Sequence, residues 1–296
     1  MSANADVAGR VRHLDPAKDP YLAMPRPPLQ VVDDVRQFRL KWRYAQGNGP
    51  PDVWTDRAIC LGTTGTGKST LAENLIEDAL RRYKELRVMI LDSKPRFRAE
   101  WEVNGLSAAP RYRRWAHGAK VIPDSFALPL QDAAKALPDV WKFDGRVAIA
   151  QAPNGAEDKL QLFQLLEAAS AFFDETSADV PHLLYIDEVM DFFHMNGAPI
   201  GRKMTIIQCA RAGRELGLGL VCSTQRPRGI PAQLLQEANM MYLFWLRNVD
   251  DVARLDDFGL PHAEEWMPRK NNKQFYFYDH EHPMKAGMYK LRLRDG

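Results

Sequence analysis

The sequence predicts an α/β fold with a mainly parallel central sheet flanked by helices. Two observations carry that prediction. From Ala58 onward, short apolar runs alternate with stretches in which apolar residues recur at helical spacing, the pattern of successive βαβ units. The runs at 58–62, 87–92, 146–151, 182–187, 219–224 and 240–246 are also near-continuous rather than alternating, which suits strands covered on both faces. Helical spacing is clear at 68–83, 157–174 and 199–216, while 274–278 and 288–293 alternate and are expected to form a terminal hairpin or edge strands.

Bulk properties narrow the class without deciding the function. The 296 residues suffice for one large α/β domain or a core with an appendage, and 45% hydrophobic with 26% charged residues excludes a disordered or fibrous chain. A net charge of +2 is too small to imply nucleic-acid binding by itself. Cys60, Cys209 and Cys222 lack C-x-x-C spacing, so they are expected as reduced core thiols rather than disulfide or zinc ligands. No apolar run approaches the roughly 18 residues that a transmembrane segment needs, and no leader-like apolar stretch opens the chain. Breakers at Pro25, Pro27, Pro28, Gly47, Gly49, Pro50 and Pro51 mark residues 1–57 as an amino-terminal arm and linker. Residues 58–250 are then the core, with a basic insertion near 96–145, and 251–296 add a carboxyl-terminal helix and edge strands.

The chemistry begins at the end of the first core strand. Gly62-Thr63-Thr64-Gly65-Thr66-Gly67-Lys68-Ser69 satisfies G-x-x-x-x-G-K-[ST] between an apolar strand and an amphipathic helix, as a Walker A P-loop requires. Glycines let successive N–H groups converge on an anion, and the following helix adds its positive end. Lys68 is expected to reach the β- and γ-phosphates of ATP, Ser69 to ligate Mg²⁺ and Thr70 to contact the α-phosphate. A second half-site follows at 182–188, an apolar run ending in Asp187 and Glu188, a Walker B arrangement. Asp187 is expected to hold the hydrated Mg²⁺, and Glu188 to polarise the attacking water. A nucleotide kinase would have no need of Glu188. The expected activity is therefore that of an ATPase.

Asp92-Ser93-Lys94 closes the second strand, and residues 210–227 run from a basic helix end through a strand to Ser223-Thr224-Gln225-Arg226-Pro227. Together with the P-loop and the acidic pair, these features resemble the FtsK/HerA superfamily of DNA-pumping ATPases over roughly residues 57–247. The resemblance implies a RecA/FtsK-like sheet and a γ-phosphate sensor at Gln225. It also implies an arginine finger, delivered to a neighbouring subunit from Arg214 or Arg211, and a homo-oligomeric ring, usually a hexamer. A solvated helix end remains the competing explanation for both arginines. Asp92 and Lys94 are left among bracing the P-loop, contacting DNA and forming a plain turn.

Double-stranded DNA is the partner that the resemblance implies. Between Arg96 and Lys120, Arg98, Arg111, Arg113 and Arg114 face only Glu100 and Glu102 and are interleaved with Trp101, Tyr112 and Trp115. Such a segment can grip phosphates without reading sequence. A second basic stretch follows from Arg269 to Arg294, and Asp279-His280-Glu281-His282 lacks the third ligand that a metal site needs. With no barrel, winged helix or membrane span in view, the chain looks like the stand-alone genome-packaging ATPases of tailless or membrane-containing viruses. That points to the host cytoplasm and to a capsid or membrane docking partner. A conjugation, segregation or repair motor of the same superfamily, and a non-motor P-loop protein, remain the alternatives.

Overall fold

A strand can be apolar on both faces only where both faces are covered, and the chain meets that demand by stacking its apolar runs at the centre of one sheet. The computed structural model describes residues 29–32, 35, 38–43, 54–94, 98–99, 112–114, 125–128, 130–142, 146–152, 154, 157–177, 179–193, 200–213, 215–258, 260, 263–270, 273–282 and 285–291. The strands are β1 Gln30–Val32, β2 Trp42–Arg43, β3 Trp54–Thr55, β4 Arg57–Leu61, β5 Arg87–Asp92, β6 Arg98–Ala99, β7 Tyr112–Arg114, β8 Ser125–Leu128, β9 Val147–Gln151, β10 His182–Ile186, β11 Leu218–Thr224, β12 Met240–Phe244, β13 Gln274–Asp279 and β14 Gly287–Leu291. The helices are α1 Lys68–Arg82, α2 Ala133–Lys142, α3 Lys159–Asp174, α4 Val189–Phe193, α5 Ile200–Arg211, α6 Ala232–Gln236, α7 Val249–Ala253 and α8 Ala263–Trp266.

Among the described residues, ten strands form the main sheet in the order β1-β14-β13-β12-β4-β11-β10-β5-β9-β8. The pairs from β12 through β8 are parallel, whereas β13 is antiparallel to both β12 and β14. All six strands expected from apolar runs form and lie side by side, and the alternating carboxyl-terminal runs form the expected hairpin. Alternation then sorts the side chains. Ala58 and Cys60 join α1 on one face, while Ile59 and Leu61 join α2, α3, α5 and α6 on the other. All three cysteines are buried free thiols, and burial pushes Cys60 up to about 12.

The described part of residues 29–57, expected as arm and linker, is packed onto this core. β1 adds to the sheet beside β14, and the rings of Tyr242, Phe275, Phe277 and Tyr289 surround Phe38 with centroids 4.8–6.3 Å away. Tyr242 Oη donates to Phe38 O, so the segment is pinned by both ring and backbone. Trp42 lies across the amino-terminal edge, donating from Nε1 to His182 O and packing so close to Gly219 that a Cβ there would lie 2.8 Å from its ring. Within the insertion expected near 96–145, β8 and α2 belong to the core, because β8 pairs with β9. The helix expected over 199–216 ends at Arg211. Gly213 follows in a turn where a Cβ would meet Cys209 O at 2.2 Å.

Phe38→Ala removes the centre of the aromatic cluster and is expected to cost about 3–5 kcal/mol, read from the midpoint of urea unfolding. A pH effect comes from His182, whose buried ring donates from Nδ1 to Val180 O and is held down at about 4, chiefly by burial. An unfolded histidine protonates near 6.5, so this contribution is complete above that pH and is lost as pH falls towards 4. Asp56 acts with opposite sign. Burial raises it to about 6, so its contribution is present below 3.8 and lost as pH rises through 6. Comparing wild type with His182→Phe cancels Asp56, and wild type should lose about 2 kcal/mol more between pH 7 and pH 5.

Candidate functional site

In a parallel sheet all strands end at one edge, and that edge is where ligands bind in open α/β folds. Here the order β4-β11-β10-β5 sets four tips in a row: the Gly62–Ser69 loop, Gln225, the Asp187-Glu188 pair, and Ser93-Lys94. The registers Thr224↔Leu61, Ile186↔Cys222 and Ile186↔Leu91 bring these tips to one level.

The loop is fastened to its neighbours by its backbone. Gly62 N donates to Thr224 O, Thr63 N donates to Trp245 O, and Thr66 Oγ1 closes the loop on Thr63 O. Gly62 is required by space, since a Cβ would lie 2.5 Å from Phe244 Cβ and 3.0 Å from Thr66 Oγ1. Gly67 is required by conformation, with φ of 106° at the amino-terminal cap of α1. The Lys68 ammonium is buried over the loop, 2.6 Å from Gly62 O and 3.0 Å from Thr63 O. A buried cation and the positive end of a 15-residue helix meet at this cradle, an arrangement whose chemistry suits an anion.

The acidic pair closes the other side. Tyr185 and Asp187 share the α1 face, and Asp187 Oδ1 accepts from Tyr185 Oη at 2.8 Å and from Ser69 Oγ at 3.0 Å. Ser69 and Asp187 thus form one oxygen donor set, the chemistry that suits a hard divalent cation such as Mg²⁺. Glu188, also buried, accepts from Gln225 N through Oε1 and from Lys94 Nζ through Oε2, each at 3.2 Å. The Gln225 side chain reaches the loop, where Thr64 Oγ1 donates to its Oε1 at 2.7 Å. Gln225 therefore touches both halves of the site.

Lys68, Ser69, Asp187, Glu188, Gln225 and the loop residues are brought together, and Thr70 follows on the first turn of α1. Arg211 is exposed at the end of α5, on the far side of the seven-residue β11 from Gln225. At about 3.3 Å per residue that separates it from this chain's own cradle by roughly 20 Å. Arg214 lies outside the described residues, as do the side chains of the basic segment 96–120. Asp92 is fully buried, with Oδ2 accepting from Gln151 Nε2, and so braces the strand tips. The stretch from Asp279 to His282 is a turn in which Asp279 Oδ1 accepts from Glu281 N and His282 N.

Two contacts escaped sequence reasoning. Thr64 to Gln225 spans 161 positions and Lys94 to Glu188 spans 94. Asp191, in the first turn of α4, is a further acid here. Burial raises it, partly offset by the Ser93 hydroxyl, which donates to it at 2.7 Å, and by Lys94. A carboxylate one helical turn beyond an acidic pair was the only signal available for it.

The fold is that of P-loop NTPases. The genome packaging NTPase B204 from Sulfolobus turreted icosahedral virus 2, in complex with AMP, superposes with a TM-score of 0.51 at 19% identity, over 80% of this chain and 98% of that one. The same protein in complex with AMPPCP gives 0.50 at 17% identity, over the same shares. VirB4 of Thermoanaerobacter pseudethanolicus gives 0.53 at 11% identity, over 81% and 90%. The resemblance drawn from the strand tips thus has its counterpart in folds of solved structures. No protein-family model and no curated protein matches the sequence.

Gly62→Ala forces either Phe244 or the loop to move, and should weaken binding of a fluorescent ATP analogue by about tenfold or more. Titration of the folded variant by fluorescence anisotropy checks this.

Proposed function

We propose that this chain is an ATP-driven double-stranded DNA translocase, with genome packaging as its setting. The observation that carries the enzymatic part is the meeting of two half-sites: Ser69 of the P-loop bonded to Asp187, and Gln225 touching both Thr64 and Glu188. A phosphate bound by the loop amides and Lys68 would lie within reach of a buried carboxylate at the tip of β10, the next strand but one.

In this reading ATP is the substrate, and Ser69 and Asp187 would hold Mg²⁺, which would neutralise charge on the phosphate oxygens. Glu188 accepts a proton from water as the water oxygen bonds to the γ-phosphorus. The bond from that phosphorus to the β–γ bridging oxygen breaks, and ADP leaves with the electron pair. Gln225, tethered to Thr64 through Oε1, has its amide nitrogen available to donate towards the γ-phosphate. Lys68 exchanges loop carbonyls for phosphate oxygens.

The translocase part is supported by the Thr-Gln-Arg-Pro strand tip, the basic segment 96–120 and the fold shared with a genome packaging NTPase. Arg214 is the closer match for the finger and Arg211 the second; Arg211, about one strand length from its own cradle, could act only on another subunit's nucleotide, as a ring requires. A nucleotide kinase, which transfers phosphate to an acceptor other than water, has no need of Glu188 in this place. A conjugation or repair motor would share the chemistry and differ in what it docks on, a capsid or a membrane complex.

Lys68→Ala is expected to abolish binding of an ATP analogue. Glu188→Gln should retain binding within about threefold while phosphate release falls by about 10²–10⁴-fold. Equal turnover by Glu188→Gln and wild type would sink the hydrolytic assignment. Duplex DNA should raise wild-type phosphate release, and the effect should fade steeply between about 50 and 200 mM salt. An ATPase rate indifferent to DNA at every salt concentration would refute the motor reading.

A further inference from the structure

The tip of β5 carries a cation that the phosphate chemistry above does not use. Lys94 lies two residues beyond Asp92. Because β5 and β10 are parallel neighbours, with Asp187 N donating to Leu91 O, this tip runs alongside the acidic pair. Lys94 Nζ stands 3.2 Å from Glu188 Oε2, while Gln225 N donates to Oε1 from the opposite strand tip. One carboxylate is therefore gripped at both oxygens by groups from different strands.

The surroundings favour a fixed geometry over an incidental ion pair. The Glu188 side chain is 6% exposed and that of Lys94 37%, so the acid is withdrawn from water while its cation keeps contact with solvent. An ionised carboxylate so placed needs constant partners. The competing acid, Asp191, is occupied by the hydroxyl of the residue next to Lys94, since Ser93 Oγ donates to Asp191 Oδ2 at 2.7 Å. Adjacent residues of one tip thus bond different acids, Ser93 to Asp191 and Lys94 to Glu188, while the Lys94 charge is also felt at Asp191.

We propose that Lys94 is a positioning residue for hydrolysis: with the Gln225 amide, its ammonium sets the direction in which Glu188 presents its lone pairs to the attacking water. This rests on the assignment of Glu188 as the base. A guanidinium can fill the same role, and a neutral side chain of similar length cannot.

The test uses the full chain with Lys94→Met and Lys94→Arg, measuring phosphate release against ATP concentration, binding of an ATP analogue and thermal unfolding. Lys94→Met is expected to lower kcat by about 10- to 100-fold with KM for ATP within about threefold, a split that a general loss of structure would not produce. Lys94→Arg should recover most of the rate. Adding Lys94→Met to Glu188→Gln should cost nothing further, because the acid it orients is gone. An unchanged kcat in Lys94→Met overturns the proposal, as does a raised one, which would make the lysine a restraint. Failure of Lys94→Arg to recover any rate while folded overturns it too. If wild type releases no phosphate, the hydrolase assignment fails and the role of Lys94 falls with it. If wild type is active and only the Lys94 outcomes fail, that assignment stands.

Discussion

Everything at the site depends on the parallel pairing of β11 between β4 and β10. One strand of seven residues separates the glycine loop from the acidic pair, and its register sets their tips level. A slip of one residue would turn Asp187 to the wrong face and break its bond to Ser69, since side chains alternate along a strand. The near-continuous apolar character of β4, β10 and β11 serves this end, because strands buried on both faces are held between helix α1 on one side and α2, α3, α5 and α6 on the other.

The cost of gathering acids at a dry edge is met by local partners. Asp187 has Ser69 and Tyr185, Glu188 has Gln225 N and Lys94, Asp191 has Ser93, and Asp92 has Gln151. The donors come from the first turn of α1 and from β5, β9, β10 and β11 or the turns that follow them, so the site's charge balance and the sheet's assembly are one problem. Burial still dominates at Asp191, which stays raised despite two stabilising neighbours.

At the opposite edge and flank, the stretch from Phe38 to Trp42 does comparable work. Phe38 packs against β12–β14 in the same core layer as helix α1, and Trp42 seals the strand starts against Gly219 and His182. The β12–β14 extension therefore carries a lining borrowed from residues far upstream in the chain.

The parallel core, the phosphate loop and the acidic pair were legible in the sequence because each is local. Apolar continuity, glycine spacing and a carboxylate doublet at a strand end are set by residues within a few positions of one another. The roles of the segment around Phe38 and of β8 were not legible, because an edge strand or a plug is defined by what it pairs with rather than by its own pattern. Nor were Thr64 to Gln225 and Lys94 to Glu188, which join positions far apart in the chain. Only the strand order β4-β11-β10-β5 decides that those tips meet, and strand order follows from how helices pack across the whole sheet, a quantity no short stretch of residues contains.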